Sequence, residues 1–129
     1  LAEGDARSDP VVDIASASLD GQAMLSRQLA DAAHYPAIDL AGSISRVMAS
    51  IVSPAQLNSA NRFRRLWTLY QQNQDLIQVG AYEPGTNPDL DEAIKIRPGM
   101  EALLQQLSDE CVSLRDSQTF LNQLTGVQV

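Results

Sequence analysis

SPAQLNSANRFRRLWTLYQQNQDLIQVG, residues 53–80, decides the fold. Ser53 followed by Pro54 reads as a helix start. The hydroxyl is suited to accept from an orphan N–H of the first turn, and proline loses nothing there because that turn has no intrahelical acceptor for its missing N–H. Beyond it, Leu57, Phe63, Leu66, Trp67, Tyr70 and Ile77 recur at near-helical spacing, which lines them along one face of a 3.6-residue period. Gly80 closes the run, since glycine takes the left-handed conformation past a helix end without steric cost. A long helix with an apolar stripe must be covered by other elements, so the stretch predicts a helical bundle.

Working outward, residues 81–88, AYEPGTNP, form a turn segment, and Pro88 opens a second helix that pairs antiparallel with the first around a tip at residues 83–87. Pro98-Gly99 is expected to break or kink that helix near Ile96 before residues 100–107 continue it. Ser113 with Asp116 resembles a capping box, with Asp in place of Glu or Gln; a last helix carrying Leu114, Phe120, Leu121 and Leu124 stops at Gly126. Upstream the texture changes. Residues 1–50 alternate short segments with Gly, Pro, Asp and Ser, whereas 51–129 are long, helical and rich in Gln, Leu and Arg. Asp9-Pro10 starts a brief helix through about Ala15, residues 18–25 read as strand or loop, and residues 26–33 form a short helix. That helix must end before Tyr35, because the residue preceding Pro36 is pushed out of the α region.

The 129 residues suit one domain, or one domain plus the remnant of another. At 44% hydrophobic and 19% charged the composition is that of a soluble globular protein, with no apolar run approaching the roughly 20 residues of a membrane span. Nine basic against sixteen acidic residues give −7, which argues against nucleic acid as a partner because phosphate-backbone binding needs a clustered positive surface. The start, LAEGDARSDP, has neither initiator Met nor the basic and apolar regions of a secretion signal, and reads as a fragment boundary. A single cysteine, Cys111, excludes an internal disulfide and a cysteine-based zinc site and fits a reducing compartment. It is expected to be a small, buried or half-buried apolar residue.

Residues 34–48, HYPAIDLAGSISRVM, carry the candidate chemistry. An aromatic, Tyr35, precedes a proline, and Arg46 follows in a small-residue loop with no acidic neighbour closer in sequence than Asp39. By themselves the residues make no complete active site: a phosphate-cradling glycine loop with its Lys-Ser/Thr is absent, and the single histidine has no second ligand at metal spacing. His34 is expected in a loop or the core. RFRR, residues 62–65, reads as a solvated face partnering acids elsewhere, or as a docking patch. Tyr35 is open between ordinary packing and ligand contact, and Arg46 between an ion pair, a free surface arginine and catalysis.

EGDARSDPV, SLDGQAMLSRQLA, HYPAIDLAGSISRVM, IVSP and NQDLIQVGAYEPGTNPDLDEAI, in this order, resemble the C-terminal part of the type III secretion and flagellar export ATPases, relatives of the catalytic subunit of rotary ATP synthases. The resemblance covers residues 1–106 and weakens beyond. It implies a mainly α fold: a C-terminal helical bundle domain over 51–129, preceded over 1–50 by the tail of a RecA-like α/β nucleotide-binding domain with short helices and a candidate edge strand. The P-loop and the Mg²⁺-binding acidic strand lie upstream in this family, so ATP and Mg²⁺ belong to the parent enzyme and the fragment alone should bind neither and be inactive. Tyr35 then corresponds to the aromatic that packs on adenine, and Arg46 to the arginine that reaches the γ-phosphate held by the neighbouring subunit, with Gly42, Ser43 and Ser45 letting the backbone approach. A guanidinium supplied in trans contributes roughly 10³ to 10⁵ in rate in other NTPases, because phosphoryl transfer accumulates negative charge on the equatorial oxygens.

The same resemblance implies as partners identical subunits in a homohexamer, a stalk protein, export chaperones or their cargo, a regulatory peripheral-stator protein and the export gate. It implies a cytoplasmic protein, peripheral at the inner face of the bacterial membrane, without membrane insertion. The competing reading is a non-enzymatic helical docking module built on Trp67, Tyr70 and RFRR; a rotary synthase subunit is disfavoured by HYPAID and NQDLIQVGAYEPG. Some residues depart from the family pattern. Ala6 stands where a second acid is expected, GQAML replaces GHIVL at residues 21–25, and EPGTNP interrupts the tip acids Glu83, Asp89, Asp91 and Glu92. Residues 18–25 would be sheet-edge material cut from its neighbours, with disorder or a non-native dimer expected there.

Overall fold

A computed structural model describes residues 10–126; the Asp9 cap and the EGD segment lie outside them. In chain order the elements are α1 (Pro10–Ser18), β1 (Gly21–Leu25), α2 (Arg27–Asp31), β2 (Ile38–Ser45), α3 (Met48–Ile51), α4 (Pro54–Gln78), α5 (Pro88–Leu104) and α6 (Leu114–Thr125). The fold is mainly α, with one two-stranded antiparallel sheet near its N-terminal end.

The helix that decided the fold forms as its sequence dictates. Ser53 is extended and its side chain accepts from the Gln56 N–H, Pro54 occupies the first turn, and Gly80 follows the C-cap at φ 71°. Phe63, Leu66, Trp67 and Tyr70 are buried along one stripe of α4, the i, i+3, i+4, i+7 pattern of a core-facing helix. They meet Ala93 and Met100 of α5, with Leu121 and Leu124 of α6 and Leu40 of β2 packed against the cluster. Burying such side chains contributes about 1.5–3 kcal/mol each, so this cluster dominates the stability of the bundle. Polar bonds set its register: Ser59 Oγ, fully buried on α4, donates to Asn122 Oδ1 of α6 at 2.7 Å.

Helix α5 does not break at Pro98-Gly99; it runs unbroken from Pro88 to Leu104 and stops short of residue 107. Proline inside a helix removes one hydrogen bond and clashes with the carbonyl four residues back, at a cost of about 3 kcal/mol. Packing on both sides of it offsets that cost. Ala93 and Met100 are both 0% exposed, and Arg97 lies 4.7 Å over the Tyr70 ring while its Nε donates to Glu101 at 2.8 Å. Gly99 has a different role from the predicted breaker. A Cβ there would lie 2.4 Å from Leu124 Cδ2, so glycine lets α6 approach α5.

The N-terminal segments also depart from expectation. Helix α1 extends to Ser18, past Ala15. Residues 21–25 form β1, paired antiparallel with β2, where disorder or a non-native dimer was the expectation; the segment is an ordered strand within the chain. The small-residue loop expected before Arg46 is itself a strand, β2, with a wide irregularity. Between the pairs Gln22↔Ile44 and Met24↔Asp39, β1 advances by two residues while β2 advances by five, leaving residues 40–43 outside the one-to-one register. Cys111 is exposed, not buried, because it falls in the connection between α5 and α6, away from the core stripe.

Candidate functional site

The bulge of β2 is built by its own side chains. Asp39 Oδ1 accepts from the N–H groups of Ala41 and Gly42 at 3.0 and 3.1 Å, while Ser43 Oγ donates to the Asp39 carbonyl at 2.6 Å and accepts from the Met24 N–H at 2.9 Å. Short polar side chains that bond the nearby backbone offer it an alternative to the ladder. Gly42 leaves room for the carboxylate in this position, since a Cβ would meet Asp39 Oδ2 at 2.8 Å. Thus Gly42 and Ser43 shape the bulge itself.

Past the bulge the strand re-pairs, Ser45 opposite Gly21, and the Arg46 N–H donates to the Asp20 carbonyl at 2.8 Å. The Arg46 side chain is exposed. Its Nη1 and Nη2 donate to the carbonyls of Ala17 and Ser16 in the last turn of α1, both at a long 3.4 Å. Cations favour that end of a helix because its last carbonyls lack partners. Among the described residues Arg46 has no ion pair, and its guanidinium meets carbonyl dipoles.

Tyr35 sits on the connection between α2 and β2, 56% exposed as a residue and with a cis peptide bond to Pro36. Its backbone is anchored from behind: the Gln106 N–H donates to the Tyr35 carbonyl at 3.0 Å. His34 is a core histidine, 8% exposed. Gln105 Nε2 lies 3.1 Å from its Nδ1, and its ring stands 6.5 Å from that of Trp67. Residues at the end of α5 therefore hold the segment that presents Tyr35, a link that nothing in the local sequence announces. Tyr35 and Arg46 flank the same small sheet, one before β2 and one after it, and both face solvent.

RFRR resolves into separate tasks. Arg62 pairs with Glu92 at 2.6 Å and Arg65 with Asp89, both acids on α5. The pairs step three residues in opposite directions, the sense of an antiparallel helix pair. Arg64 points elsewhere: its Nη2 donates at 2.9 Å to the carbonyls of both Ala41 and Ser43 in the β2 bulge. The helical period contains the signal, because residues 62 and 65 share a face and residue 64 does not. An open groove of about 460 Å³ runs beside them, lined by Asn61, Thr68, Leu69 and Gln72 among others.

The tip between α4 and α5 is closed by Asp91. Its Oδ1 accepts from Tyr82 Oη and its Oδ2 from the Gly85 N–H, each at 2.8 Å. Desolvation in the turn, followed by the bond to Asp91, holds the Tyr82 phenol above its ordinary pKa. Asp89, Asp91 and Glu92 are thus engaged within the chain. Among the described residues, no three His, Cys, Asp or Glu side chains gather where a metal ion could sit, and no helix is long and apolar enough to cross a membrane.

Residues 52–123 match the family described as the T3SS EscN ATPase C-terminal domain, and residues 1–45 match the nucleotide-binding domain of the ATP synthase alpha/beta family. Two similar proteins carry the name flagellum-specific ATP synthase. That of Pseudomonas aeruginosa is 49% identical over 124 residues, 96% of this chain and 28% of the relative. That of Bacillus subtilis is 40% identical over 126 residues, 98% of this chain and 29% of the relative. The chain thus spans less than a third of the length of the curated relatives it matches. Among solved structures, the assembled ATPase EscN from the type III secretion system of enteropathogenic E. coli aligns with TM-score 0.92 at 34% identity, over 97% of this chain and 30% of that one. The same ATPase in complex with its central stalk EscO aligns with TM-score 0.86 at 33% identity, over 91% and 29%. The family match continues to residue 123, beyond the Gln106 at which the sequence resemblance fades.

Proposed function

The chain belongs to the T3SS EscN ATPase C-terminal domain family, and from that premise we propose that it is the C-terminal part of a ring-forming ATPase, in which it supplies a trans arginine and an adenine-packing tyrosine. The parent hydrolyses ATP to energise or prepare protein export through a flagellar or virulence type III system. Residues 1–50 complete its nucleotide-binding domain and residues 51–129 form its helical domain. Support for this division comes from the two family matches, which leave only residues 46–51 between them.

The observation that carries the reading is the state of Arg46. It stands exposed at the end of a braced strand, and among the described residues its guanidinium is restrained by two 3.4 Å bonds to carbonyls. Such bonds are weak and solvent-screened, so the guanidinium is free to leave them for a stronger acceptor. The γ-phosphate of a nucleotide bound by the adjacent subunit is that acceptor, and Arg46 stabilises the charge that grows on its equatorial oxygens during transfer to water. Tyr35 offers an exposed ring to the adenine face, while Gln106 fixes its backbone. Mg²⁺, when bound in the parent, would neutralise charge on the phosphates, and none of the residues assigned here would hold it. As partners we assign identical subunits, a stalk protein and export chaperones or cargo, and as location the cytoplasmic face of the membrane.

Phosphate release by the full-length protein tests this assignment. Arg46→Ala should abolish turnover while ATP binding persists; undiminished turnover would remove Arg46 from the role. The 129-residue chain alone should release no phosphate from ATP, and measurable turnover would overturn the assignment of the nucleotide-gripping residues to the rest of the parent.

A further inference from the structure

Arg64 makes a contact that the activity above does not use. It leaves the helical bundle and crosses to the bulge of β2, where a single nitrogen, Nη2, donates to the carbonyls of Ala41 and Ser43 at 2.9 Å each. Both acceptors belong to residues that the bulge leaves outside the register with β1. Ser43 lies three residues before Arg46, and the strand between them is braced by the Gly21↔Ser45 pair and the Arg46 N–H bond to Asp20. Leu40, packed against the core, holds the near end of the same bulge. A displacement of the bulge therefore has little slack in which to die out before it reaches position 46.

We propose that Arg64 is a positioning residue for Arg46: it ties the β2 bulge to α4, so that the placement of the helical domain sets where the Arg46 guanidinium is presented. This rests on the reading of Arg46 as the trans arginine. A bulge re-aims the residues that follow it, and here an arginine from another element fastens two of its carbonyls to α4. Bonds from a charged donor to neutral carbonyls are stronger than neutral ones, so the tie holds even though the side chain is exposed.

The test is made on the full-length protein. Arg64→Met keeps the aliphatic stem and loses both bonds; kcat should fall roughly ten- to a hundred-fold, the scale of an ångström-sized misplacement, with KM for ATP unchanged. Arg64→Lys should restore most of kcat, because both acceptors share one donor nitrogen and an ammonium can serve both. Hydrogen exchange of Arg64→Met should quicken over residues 41–46 and stay unchanged in α5 and α6, which separates a local release from unfolding. Wild-type kcat in Arg64→Met, a parallel loss in Arg64→Lys, or unaltered exchange over 41–46 would overturn the proposal. If Arg46→Ala is inactive while Arg64→Met is fully active, only the positioning role falls. If Arg46→Ala itself turns over normally, the trans-arginine reading falls first.

Discussion

Tyr82 illustrates how much a single side chain can do in a nine-residue turn. Its hydroxyl donates to Asp91 and also lies 3.1 Å from the Asn87 carbonyl, fastening the start of the turn to its end. Tyr82→Phe should lower the denaturant midpoint slightly, because it removes a hydrogen bond to a charged acceptor in a solvated turn. The pH dependence follows from the raised phenol pKa. Above its unfolded value of 10.0 the unfolded chain loses this proton before the folded one, so the contribution is complete below pH 10 and is lost as pH rises through the folded value. Tyr82→Phe should remove a late-titrating contribution from the phenolate absorbance. At this scale the sequence was an uneven guide. It marks Ser53, Gly80, Ser113 and Gly126 as helix ends because caps depend on local chemistry. It says nothing of Gln105 reaching His34, a partnership across 71 positions that only the folded chain creates.

At the scale of elements, Pro98 shows where local rules yield to packing. A proline-glycine pair reads as a stop, yet α5 continues because Ala93 and Met100 are both locked in the core. Met100→Ala should therefore destabilise the bundle by about 2–5 kcal/mol, the range for truncating a fully buried side chain; a change in the urea midpoint without a change in slope would verify it. The strand β2 was missed for the converse reason. Its residues, IDLAGSIS, lack the sustained alternation of a half-buried strand, and Asp39, Gly42 and Ser43 look like turn chemistry. They are turn chemistry, set inside a strand as a bulge. The candidate roles of Tyr35 and Arg46 were legible only through resemblance, since an exposed tyrosine and an exposed arginine carry no periodic signal.

For the whole molecule, apolar packing rather than charge holds the fold. The three ion pairs among the described residues are on the surface, where such pairs contribute about 0–1 kcal/mol each. Raising salt to about 1 M, which shortens the Debye length to roughly 3 Å, should leave the melting temperature nearly unchanged; a large drop would mean that the Arg62 and Arg65 pairs matter more than the α4 stripe. Val11, Ile14, Leu25 and Ile44 are exposed and lie outside that packing.

The contact between His34 and Trp67 has an optical consequence. Trp67 is the only indole in the chain, so intrinsic emission comes from one place, the junction where the tyrosine-bearing connection meets the bundle. Prising that junction apart would admit water to the indole and move its emission to longer wavelength without any attached dye.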